Sequence, residues 1–383
     1  MKKWLTAVLI MCLTWVCLAP SGPASAASAV KNVVIVDAKT GHSFLPVRSL
    51  SEFEGVTTQW NDAAKQLDIF QGNHRLTLHL AQKSAAFDGA SLALAAAPFR
   101  ENGSVYVPLS LIVSKLGVEA SWQKDEAAVK LTREGVEQYL PYVTRNVGQA
   151  LKNPIVSARQ TYKVGGRSFS AQTVTIDLLH PKIQLDVVLA GNTPGKVEDL
   201  SSIAKRSGAK VAVNGTFFDA YTSGAYKAPY GYIVSHGTVK MPSPGDKRSI
   251  FAYDANHLAR IIAGPDFGQA FEQGWIYGGL QAGPRLLVNG KVSLNVKKEG
   301  FKDPKILTGG GARSALGLTR DHRLILLTTG GATIPQLAEI MKKAGAYQAM
   351  NLDGGASSGL YYNGKYLTTP GRKISNALVV KFQ

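Results

Sequence analysis

Short apolar runs bounded by Gly, Asn and Asp dominate the hydrophobic pattern of the chain, and they predict many strands and few helices. Four strand–turn–strand patterns stand out in the C-terminal half: 232–240 around His236-Gly237, 285–294 around Asn289-Gly290, 312–329 around Asp321-His322, and 360–368 around Asn363-Gly364. We therefore predict an α+β fold, in which a small duplicated α+β module precedes a strand-rich, mixed-sheet domain with a few helices.

The N-terminal part contains an internal repeat. Three landmarks recur 62 positions apart, namely Pro46 with Pro108, Gly55 with Gly117, and Trp60 with Trp122. Each copy predicts an aromatic-X-Pro entry, a short helix, a glycine stop, a strand carrying the tryptophan and a closing strand. We interpret the tryptophans as core anchors rather than as platforms for sugars.

A second internal similarity links residues 200–214 to residues 337–351 at a constant offset of 137. Leu200 matches Leu337, Gly208 matches Gly345, and Asn214 matches Asn351. Each copy predicts an amphipathic helix, a glycine C-cap and a buried strand that ends in asparagine. If both copies occupy related places in one sheet, their polar ends emerge close together, where α/β proteins often build sites.

The second copy ends in the most distinctive stretch of the chain, residues 351–358, read as NLDGGASS. A buried strand here delivers polar side chains, two glycines let the backbone turn or approach a ligand, and serines offer hydroxyls. The alternative is a strand that ends in an ordinary Asp-Gly turn.

The first 27 residues have the pattern of a secretion signal: Lys2 and Lys3, an apolar core, and small residues before the cut. Both cysteines, Cys12 and Cys17, fall inside it, so the mature chain is expected to lack thiol chemistry and thiolate metal sites. No later run approaches the roughly 20 apolar residues of a spanning helix. We expect a secreted or cell-wall-associated protein without a transmembrane span in the mature chain.

Basic charge is concentrated in the C-terminal part. Residues 28–155 hold 13 Lys and Arg against 12 Asp and Glu, whereas residues 156–383 hold 28 against 14. For a secreted protein this balance predicts attraction to an anionic wall polymer or membrane surface. Nucleic acid is not the expected partner, because no basic helix with interleaved aromatics is present.

The sequence also excludes several catalytic classes. It contains no HExxH, GxSxG or Walker motif. Carboxylate chemistry remains, with Asp353 as the first candidate and Asp219 as the second. Glycoside cleavage commonly needs two carboxyl groups, but a phosphate leaving group departs readily, so that an arginine can replace the general acid. Arg313 follows the flexible run 309–311 and could bind a phosphate or carboxylate, unless it is simply a surface arginine at a strand end.

Two family resemblances accompany these patterns. The entries FLPVR at Phe44 and YVPLS at Tyr106, with their Gly and Trp landmarks, resemble the copper amine oxidase N-terminal-like domain, a module that implies no copper chemistry here. The predicted boundaries are a signal peptide at 1–27, this repeat module at 28–135, a connector at 136–155 and a second domain at 156–383. We interpret the module as a spacer or attachment domain.

The second domain resembles the phosphodiester glycosidase family. The resemblance rests on NGTFF at Asn214, GPRLLVNGK at Gly283, ARSALGL at Ala312, NLDGGASS at Asn351 and SNALVV at Ser375. Two positions depart from the family's usual NGGFF and NLDGGGSS, namely Thr216 and Ala356, and we expect these changes to affect the shape of the substrate site.

The resemblance implies a hydrolase that cleaves the glycosidic bond of a sugar-1-phosphodiester. The signal pattern and the basic charge add the expectation that it is secreted and acts on a phosphate-rich cell-wall or extracellular polymer. Asp353 is expected as base or nucleophile. The implied catalytic residues are Asp353, Arg313 and Asn214. The implied substrate-binding residues are Asn351, Gly354, Gly355, Ser357, Ser358, Thr216, Asp219, Arg285 and Asn376.

Two alternatives stay open at this point. One is a non-catalytic, basic wall protein that binds polyanions. The other concerns cofactors. We predict no cofactor and no metal ligands, but binding of a divalent cation such as calcium is still an alternative, because oxygen ligands need no regular spacing. The expected partner in either case is a sugar phosphodiester or an anionic wall polymer.

Overall fold

The computed structural model describes residues 31–383. The predicted signal peptide and both cysteines lie outside the described residues. Strands account for 46% of the described residues and helices for 14%, and the strands form several sheets. The strand-rich, mixed-sheet prediction is therefore confirmed, while the helical share is smaller than an α+β label suggests. Within residues 31–383, no helix has the length and apolar character needed to cross a membrane.

The N-terminal part contains twelve strands, one 3-10 helix and one α-helix. The strands are β1 (Val34–Asp37), β2 (Ser43–Pro46), β3 (Val56–Asn61), β4 (Gln66–Gln71), β5 (His74–His79), β6 (Ser84–Phe87), β7 (Ala90–Ala93), β8 (Phe99–Glu101), β9 (Ser104–Pro108), β10 (Glu119–Gln123), β11 (Ala128–Arg133) and β12 (Val136–Arg145). The helices are a 3-10 helix at Val47–Glu52 and α1 at Leu109–Lys115. They form one sheet in the order β10-β11-β12-β1-β2-β9-β8 and a second sheet of β3 to β7.

Both copies of the predicted repeat have the expected order of elements. Pro46 and Pro108 each stand directly before a helix, where a fixed φ suits the turn into it. Gly55 and Gly117 have φ of 74° and 61°, which side chains disfavour, so each ends its helix before the tryptophan strand. The prediction that both tryptophans anchor the core is wrong for Trp122, whose side chain lies on an exposed strand and is 41% exposed.

The predicted connector at 136–155 is also corrected. Its first half is β12, which pairs in parallel with β1 and antiparallel with β11. Leu140 on this strand is fully buried in the N-terminal core. Backbone pairing on both sides makes β12 an interior strand of the first sheet. The sequence did not predict this strand, because one of its faces carries polar residues.

The C-terminal part contains seventeen strands and four α-helices. The strands are β13 (Ile155–Val164), β14 (Arg167–Asp177), β15 (Ile183–Leu189), β16 (Val211–Asn214), β17 (Ile233–Ser235), β18 (Thr238–Met241), β19 (Ile250–Tyr253), β20 (Ala259–Ile262), β21 (Gly278–Gln281), β22 (Arg285–Val288), β23 (Lys291–Val292), β24 (Gly311–Leu318), β25 (Arg323–Ala332), β26 (Gln348–Asn351), β27 (Leu360–Tyr362), β28 (Lys365–Thr368) and β29 (Asn376–Phe382). The α-helices are α2 (Leu200–Arg206), α3 (Phe267–Glu272), α4 (Pro304–Leu307) and α5 (Ile334–Lys343), and 3-10 turns lie at Ala190–Asn192, Gly264–Asp266 and Gly355–Ser357. All four predicted hairpins are confirmed, as β17–β18, β22–β23, β24–β25 and β27–β28.

Three sheets enclose the C-terminal core. Their strand orders are β13-β14-β25-β24-β26-β22-β23, β15-β29-β16-β27-β28 and β18-β17-β21-β19-β20. One apolar cluster takes side chains from all three, including Leu316, Val213 and Phe251, each with no exposed surface. Burying a side chain of this size stabilises the fold by roughly 1.5–3 kcal/mol. The core therefore fixes the sheets against one another, and with them the loops at their ends.

The predicted similarity between 200–214 and 337–351 is confirmed element by element, but its placement is not. Helices α2 and α5 are each followed by a glycine with positive φ, Gly208 and Gly345, and then by β16 and β26. However, β16 lies in the five-stranded sheet with β29, while β26 lies in the seven-stranded sheet with β24. The two strand ends meet across the interface of two packed sheets, because their apolar residues share one core.

The N-terminal part is joined firmly to the C-terminal part. The Lys31 ammonium, only 6% exposed, donates to the carbonyls of Leu178, His180 and Ile183 at 2.6–2.7 Å, which satisfies its three donors. His322 at the β24–β25 turn pairs through Nε2 with the Ala127 carbonyl at 2.8 Å. The module thus contacts the turn end of this hairpin, and the opposite end is free to build a site.

Candidate active site

Asn214 connects three segments at the free end of the hairpin. Its Nδ2 donates to the Asp353 carbonyl at 2.7 Å, and its Oδ1 accepts from the Ser314 hydroxyl at 2.7 Å and from the Gly359 N–H at 3.0 Å. Asn214 is 1% exposed and Ser314 is fully buried. The Asp353 N–H also donates to the Gly215 carbonyl at 3.1 Å. The asparagine therefore positions the backbone that carries Asp353 and does not itself present a polar group to solvent.

Asp353 is a half-buried carboxyl at this junction. Burial raises the pKa of Asp353 to about 6, although hydrogen bonds from Ser357 and from the Gly354 N–H and the charge of Arg372 act in the opposite direction. The Gly354 N–H donates to Oδ1 at 2.8 Å. A carboxyl whose pKa lies near the working pH exchanges protons readily, which suits a catalytic acid or base.

Asn376 and Thr216 form the next layer of the junction. The Thr216 N–H donates to Asn376 Oδ1 at 3.0 Å, and Asn376 Nδ2 donates to the Thr216 hydroxyl at 2.6 Å. A Cβ on Gly215 would lie 2.0 Å from Asn376 Oδ1, so a side chain there would break this pair. The threonine that departs from the usual family motif is thus a hydrogen-bond partner of Asn376, in a site where both residues are nearly fully buried.

The other residues of 351–358 divide into buried and exposed groups. Asn351 has no exposed surface, and its Nδ2 donates to the carbonyls of Gly283 and Leu352 at 2.8 and 2.6 Å. Ser357 and Ser358 are also buried, whereas Gly354 is half-buried and Gly355 is exposed with φ of 61°. Asn351 therefore supports the loop, and the glycines form its accessible surface.

Arg313 lies beside the junction and uses two of its three guanidinium nitrogens, Nε and Nη2, for internal hydrogen bonds. It is 3% exposed, its Nε donates to the Ala332 carbonyl at 2.9 Å, and its Nη2 donates to the carbonyls of Lys305 and Gly309 at 2.7 Å each. Burial lowers the pKa of Arg313, and Asp303 opposes this effect. The arginine ties the 305–309 segment to the sheet, next to Gly354.

Two further predicted residues, Arg285 and Asp219, form hydrogen bonds that do not involve Asp353. The Arg285 guanidinium donates to the Leu287 carbonyl at 2.9 Å and also contacts the Ile261 carbonyl and Gln348. Asp219 lies on the 215–232 loop, where its Oδ1 accepts the Thr222 N–H at 3.0 Å. Arg285 therefore ties its strand to the segments of Ile261 and Gln348, whereas the side-chain hydrogen bond of Asp219 stays within its own loop.

Four residues near Asp353 were missed: Ser314, Tyr221, Lys305 and Arg372. Tyr221 is 79% exposed, and its hydroxyl accepts from Arg372 Nη2 at 3.0 Å. The Arg372 guanidinium carbon and the Lys305 ammonium lie 5.0 and 6.0 Å from the centre of the Tyr221 ring. Two of them lie close to residues of the sequence motifs: Ser314 is next to Arg313, and Arg372 is three residues before Ser375. Tyr221 and Lys305 carried no sequence signal.

The charges around Asp353 are cationic. Within residues 31–383 no group of three or more His, Cys, Asp or Glu side chains is arranged to hold a metal. Clefts of about 1170, 490 and 230 Å³ occur elsewhere, and Asp353 does not line them. The candidate site is therefore a junction of loops rather than one of these cavities.

Comparisons with solved structures support the fold. A hypothetical protein from Synechocystis is 17% identical, with a TM-score of 0.54, over 89% of this chain and 94% of that one. The catalytic domain of zebrafish N-acetylglucosamine-1-phosphodiester alpha-N-acetylglucosaminidase, auto-inhibited by its pro-peptide, is 19% identical, with a TM-score of 0.52, over 61% of this chain and 86% of that one. The comparison with curated proteins gave no match.

Family models match both parts of the chain. Residues 29–131 match the copper amine oxidase N-terminal domain. The second match begins before Asn214 and ends beyond Asn376. It therefore includes all the residues that form the hydrogen bonds of Asn214 and Asp353. The resemblances seen in the sequence are thereby confirmed, and residues 207–381 are matched to the phosphodiester glycosidase family.

Proposed function

We propose that the C-terminal domain hydrolyses the bond between the anomeric carbon of a sugar and a phosphodiester oxygen, with Asp353 as the reacting carboxyl. The observation that carries this proposal is a half-buried carboxyl with a pKa of about 6, fixed where the motifs of the matched family converge. The zebrafish structure is named for an enzyme acting on such a phosphodiester, which supports the same substrate class.

The reaction needs one bond to form and one to break at the anomeric carbon. Ionised Asp353 either removes a proton from the attacking water or attacks the carbon itself, in which case water later releases the sugar. The C–O bond breaks and its electron pair stays on the phosphate oxygen, which leaves as a phosphate monoester. Because the second pKa of such a phosphate is about 6, the leaving oxygen requires no strong general acid.

The buried asparagines serve this chemistry by position. Asn214 holds the Asp353 carbonyl, and Asn376 holds the Thr216 N–H. Side chains fixed by packing and hydrogen bonds keep a reacting group within the narrow range of distances that catalysis tolerates. We assign these residues to positioning, and Arg313 likewise, because three of its five donors, on Nε and Nη2, bind carbonyl groups.

The proposed substrate is a glycosylated, phosphate-rich polymer outside the cell. The support for this is the predicted secretion signal and the excess of 28 basic over 14 acidic residues in 156–383. We propose no metal requirement, because Arg372 and Lys305 bring positive charge to the neighbourhood of Asp353. A chelator should then leave the rate unchanged, and loss of activity that added calcium restores would contradict this point.

The test compares three proteins lacking residues 1–27: the wild type, Asp353→Asn and Asp254→Asn. Asp254 is a matched control, since burial raises its pKa to about 6 as well, but it lies between β19 and β20. A panel of sugar-1-phosphodiesters should release sugar with the wild type and Asp254→Asn and not with Asp353→Asn. Equal release by all three would refute the role of Asp353. Salt-sensitive polyanion binding by all three without any release would instead favour a binding protein.

A further inference from the structure

Three side chains from separate segments form an exposed group beside Asp353, which we call the Tyr221 cluster: Tyr221, Lys305 and Arg372. The Tyr221 hydroxyl accepts a hydrogen bond from Arg372 at 3.0 Å, and both cations lie within 6.0 Å of the ring centre. Arg372 acts electrostatically on both Tyr221 and Asp353. Contacts also link the cluster to the loop of Asp353: the Gly371 N–H donates to the Ala356 carbonyl at 2.7 Å, and Arg313, which binds the Lys305 carbonyl, lies beside Gly354.

Hydrogen bonds hold each of the three segments that carry the cluster. The loop carrying Tyr221 is closed by pairing of Phe218 with Pro229 and by the Asp219 N–H donating to the Ala228 carbonyl at 2.9 Å. Next to Arg372, the Gly371 N–H donates to the Ala356 carbonyl at 2.7 Å.

Arg313 fixes the third segment, because its Nη2 binds the Lys305 carbonyl at 2.7 Å. The three side chains are thus presented by constrained segments of the fold.

Neither cation of the cluster forms a salt bridge within residues 31–383, although the charge of Arg372 acts on Asp353. Among residues 31–383, every Asp or Glu that forms an ion pair does so with a residue other than Lys305 or Arg372. Their combined charge lowers the pKa of the Tyr221 hydroxyl, first through the hydrogen bond from Arg372. Two cations without a salt bridge and a phenol, near a reacting carboxyl, are well suited to bind an anion.

We propose that Arg372 and Lys305 bind the phosphodiester group of the substrate, and that Tyr221 orients Arg372 while its ring contacts the group esterified beyond the phosphate. This inference rests on the proposed function and assigns to the Tyr221 cluster the phosphate contacts that the sequence assigned to Arg313 and Arg285. It makes the enzyme selective for glycosyl phosphodiesters over neutral glycosides of the same sugar.

A binding experiment tests the cluster without turnover. Glycerol 1-phosphate is titrated into Asp353→Asn protein by calorimetry, alone and combined with Arg372→Gln, Lys305→Gln or Arg323→Gln. Loss of a charge-assisted hydrogen bond should weaken binding roughly 10- to 100-fold for the first two. Arg323→Gln is the control, since Arg323 is exposed, pairs with Asp321 and lies at the turn end of the hairpin. Equal affinity of the Arg372→Gln and Arg323→Gln proteins would overturn the proposal.

A turnover experiment then measures selectivity. At pH 8, where Asp353 is ionised in both proteins, Arg372→Gln should raise KM for a glycosyl phosphodiester roughly 10- to 100-fold and affect the 4-nitrophenyl glycoside of the same sugar much less. Arg372→Lys should recover part of the loss, because charge returns without the guanidinium geometry. Equal losses on both substrates would overturn the proposal. If no substrate is turned over, the proposed function fails, and the calorimetry still decides whether the cluster binds phosphate.

Discussion

Replacing Asp353 with asparagine should stabilise the protein at neutral pH while abolishing hydrolysis. Burial raises the pKa of Asp353 from 3.8 to about 6, so the fold resists the charged form that the unfolded chain carries freely. Asparagine has nearly the same shape, and its Oδ1 can still accept the Gly354 N–H. The substitution therefore removes a destabilising charge without opening a cavity.

The magnitude follows from the pKa. A shift from 3.8 to about 6 corresponds to about 3 kcal/mol at most, at about 1.4 kcal/mol per unit. Below pH 3.8 the carboxyl is neutral in both states, and wild type and variant should be equally stable. The advantage of Asp353→Asn should grow as pH rises from about 4 to 6 and stay constant above. For a domain of this size, a gain of that order raises Tm by roughly 6–12 °C.

The assay is chemical or thermal unfolding of both proteins at several values between pH 4 and pH 8, beside the pH dependence of wild-type kcat/KM. If ionised Asp353 is the working form, kcat/KM should rise with pH and level off above about 6, over the range in which the stability difference appears. Asp254→Asn should show a similar gain in stability with unchanged activity, because it has the same raised pKa away from the site.

Two results would refute this reasoning. A stability difference between Asp353→Asn and wild type that is the same at pH 4 and pH 8 would mean that the charge of Asp353 is not the cause. A kcat/KM that falls as pH rises through 6 would mean that the protonated carboxyl is the working form.

Three further predictions concern positioning and stability. Asn214→Ala leaves three buried hydrogen-bonding groups without their partner and should lower the free energy of unfolding by about 3 kcal/mol or more. Ser314→Ala should lower it by only about 1 kcal/mol. Equal effects of the two substitutions in denaturant unfolding would contradict this hydrogen-bond network. Thr216→Gly, the usual family residue, should destabilise by about 1–2 kcal/mol through loss of the Asn376 bond, and Thr216→Ser, which keeps the hydroxyl, should not. Burial lowers the pKa of His322, so wild type should lose stability as pH falls below about 6.5, and His322→Gln should show a weaker loss in thermal melts; parallel curves would disprove this.

Local sequence signals accounted for much of the fold. The Asn-Gly, His-Gly and Asp-His turns marked real hairpins, because positive φ at residues such as Asn289 and His322 depends on only two or three adjacent positions. The same holds for Gly208 and Gly345, which end their helices. By contrast, the strand β12 was assigned to a connector, since its pairing partners are fixed by contacts distant in sequence.

The candidate site shows the same division. Its motifs could be read from the sequence because asparagine, glycine and aspartate at strand ends are unusual residues in apolar surroundings. The roles of these residues could not be read from the sequence. An arginine at a strand end is a common anion ligand, yet Nε and Nη2 of Arg313 bind three carbonyl groups. Arg372 and Tyr221 are ordinary surface residues in the sequence, and they meet only because separate loops end at one place.

The sequence alone determined the repeats, the turns, the asparagine-ended strands and the choice of Asp353, all of which depend on neighbouring residues or recurring motifs. Tertiary structure decided that β16 and β26 lie in different sheets, that Asn214 reaches the Asp353 backbone across them, and which cations face the carboxyl. The physical reason is that charge, burial and hydrogen bonding at a site depend on distances between segments, and packing of the shared core sets those distances.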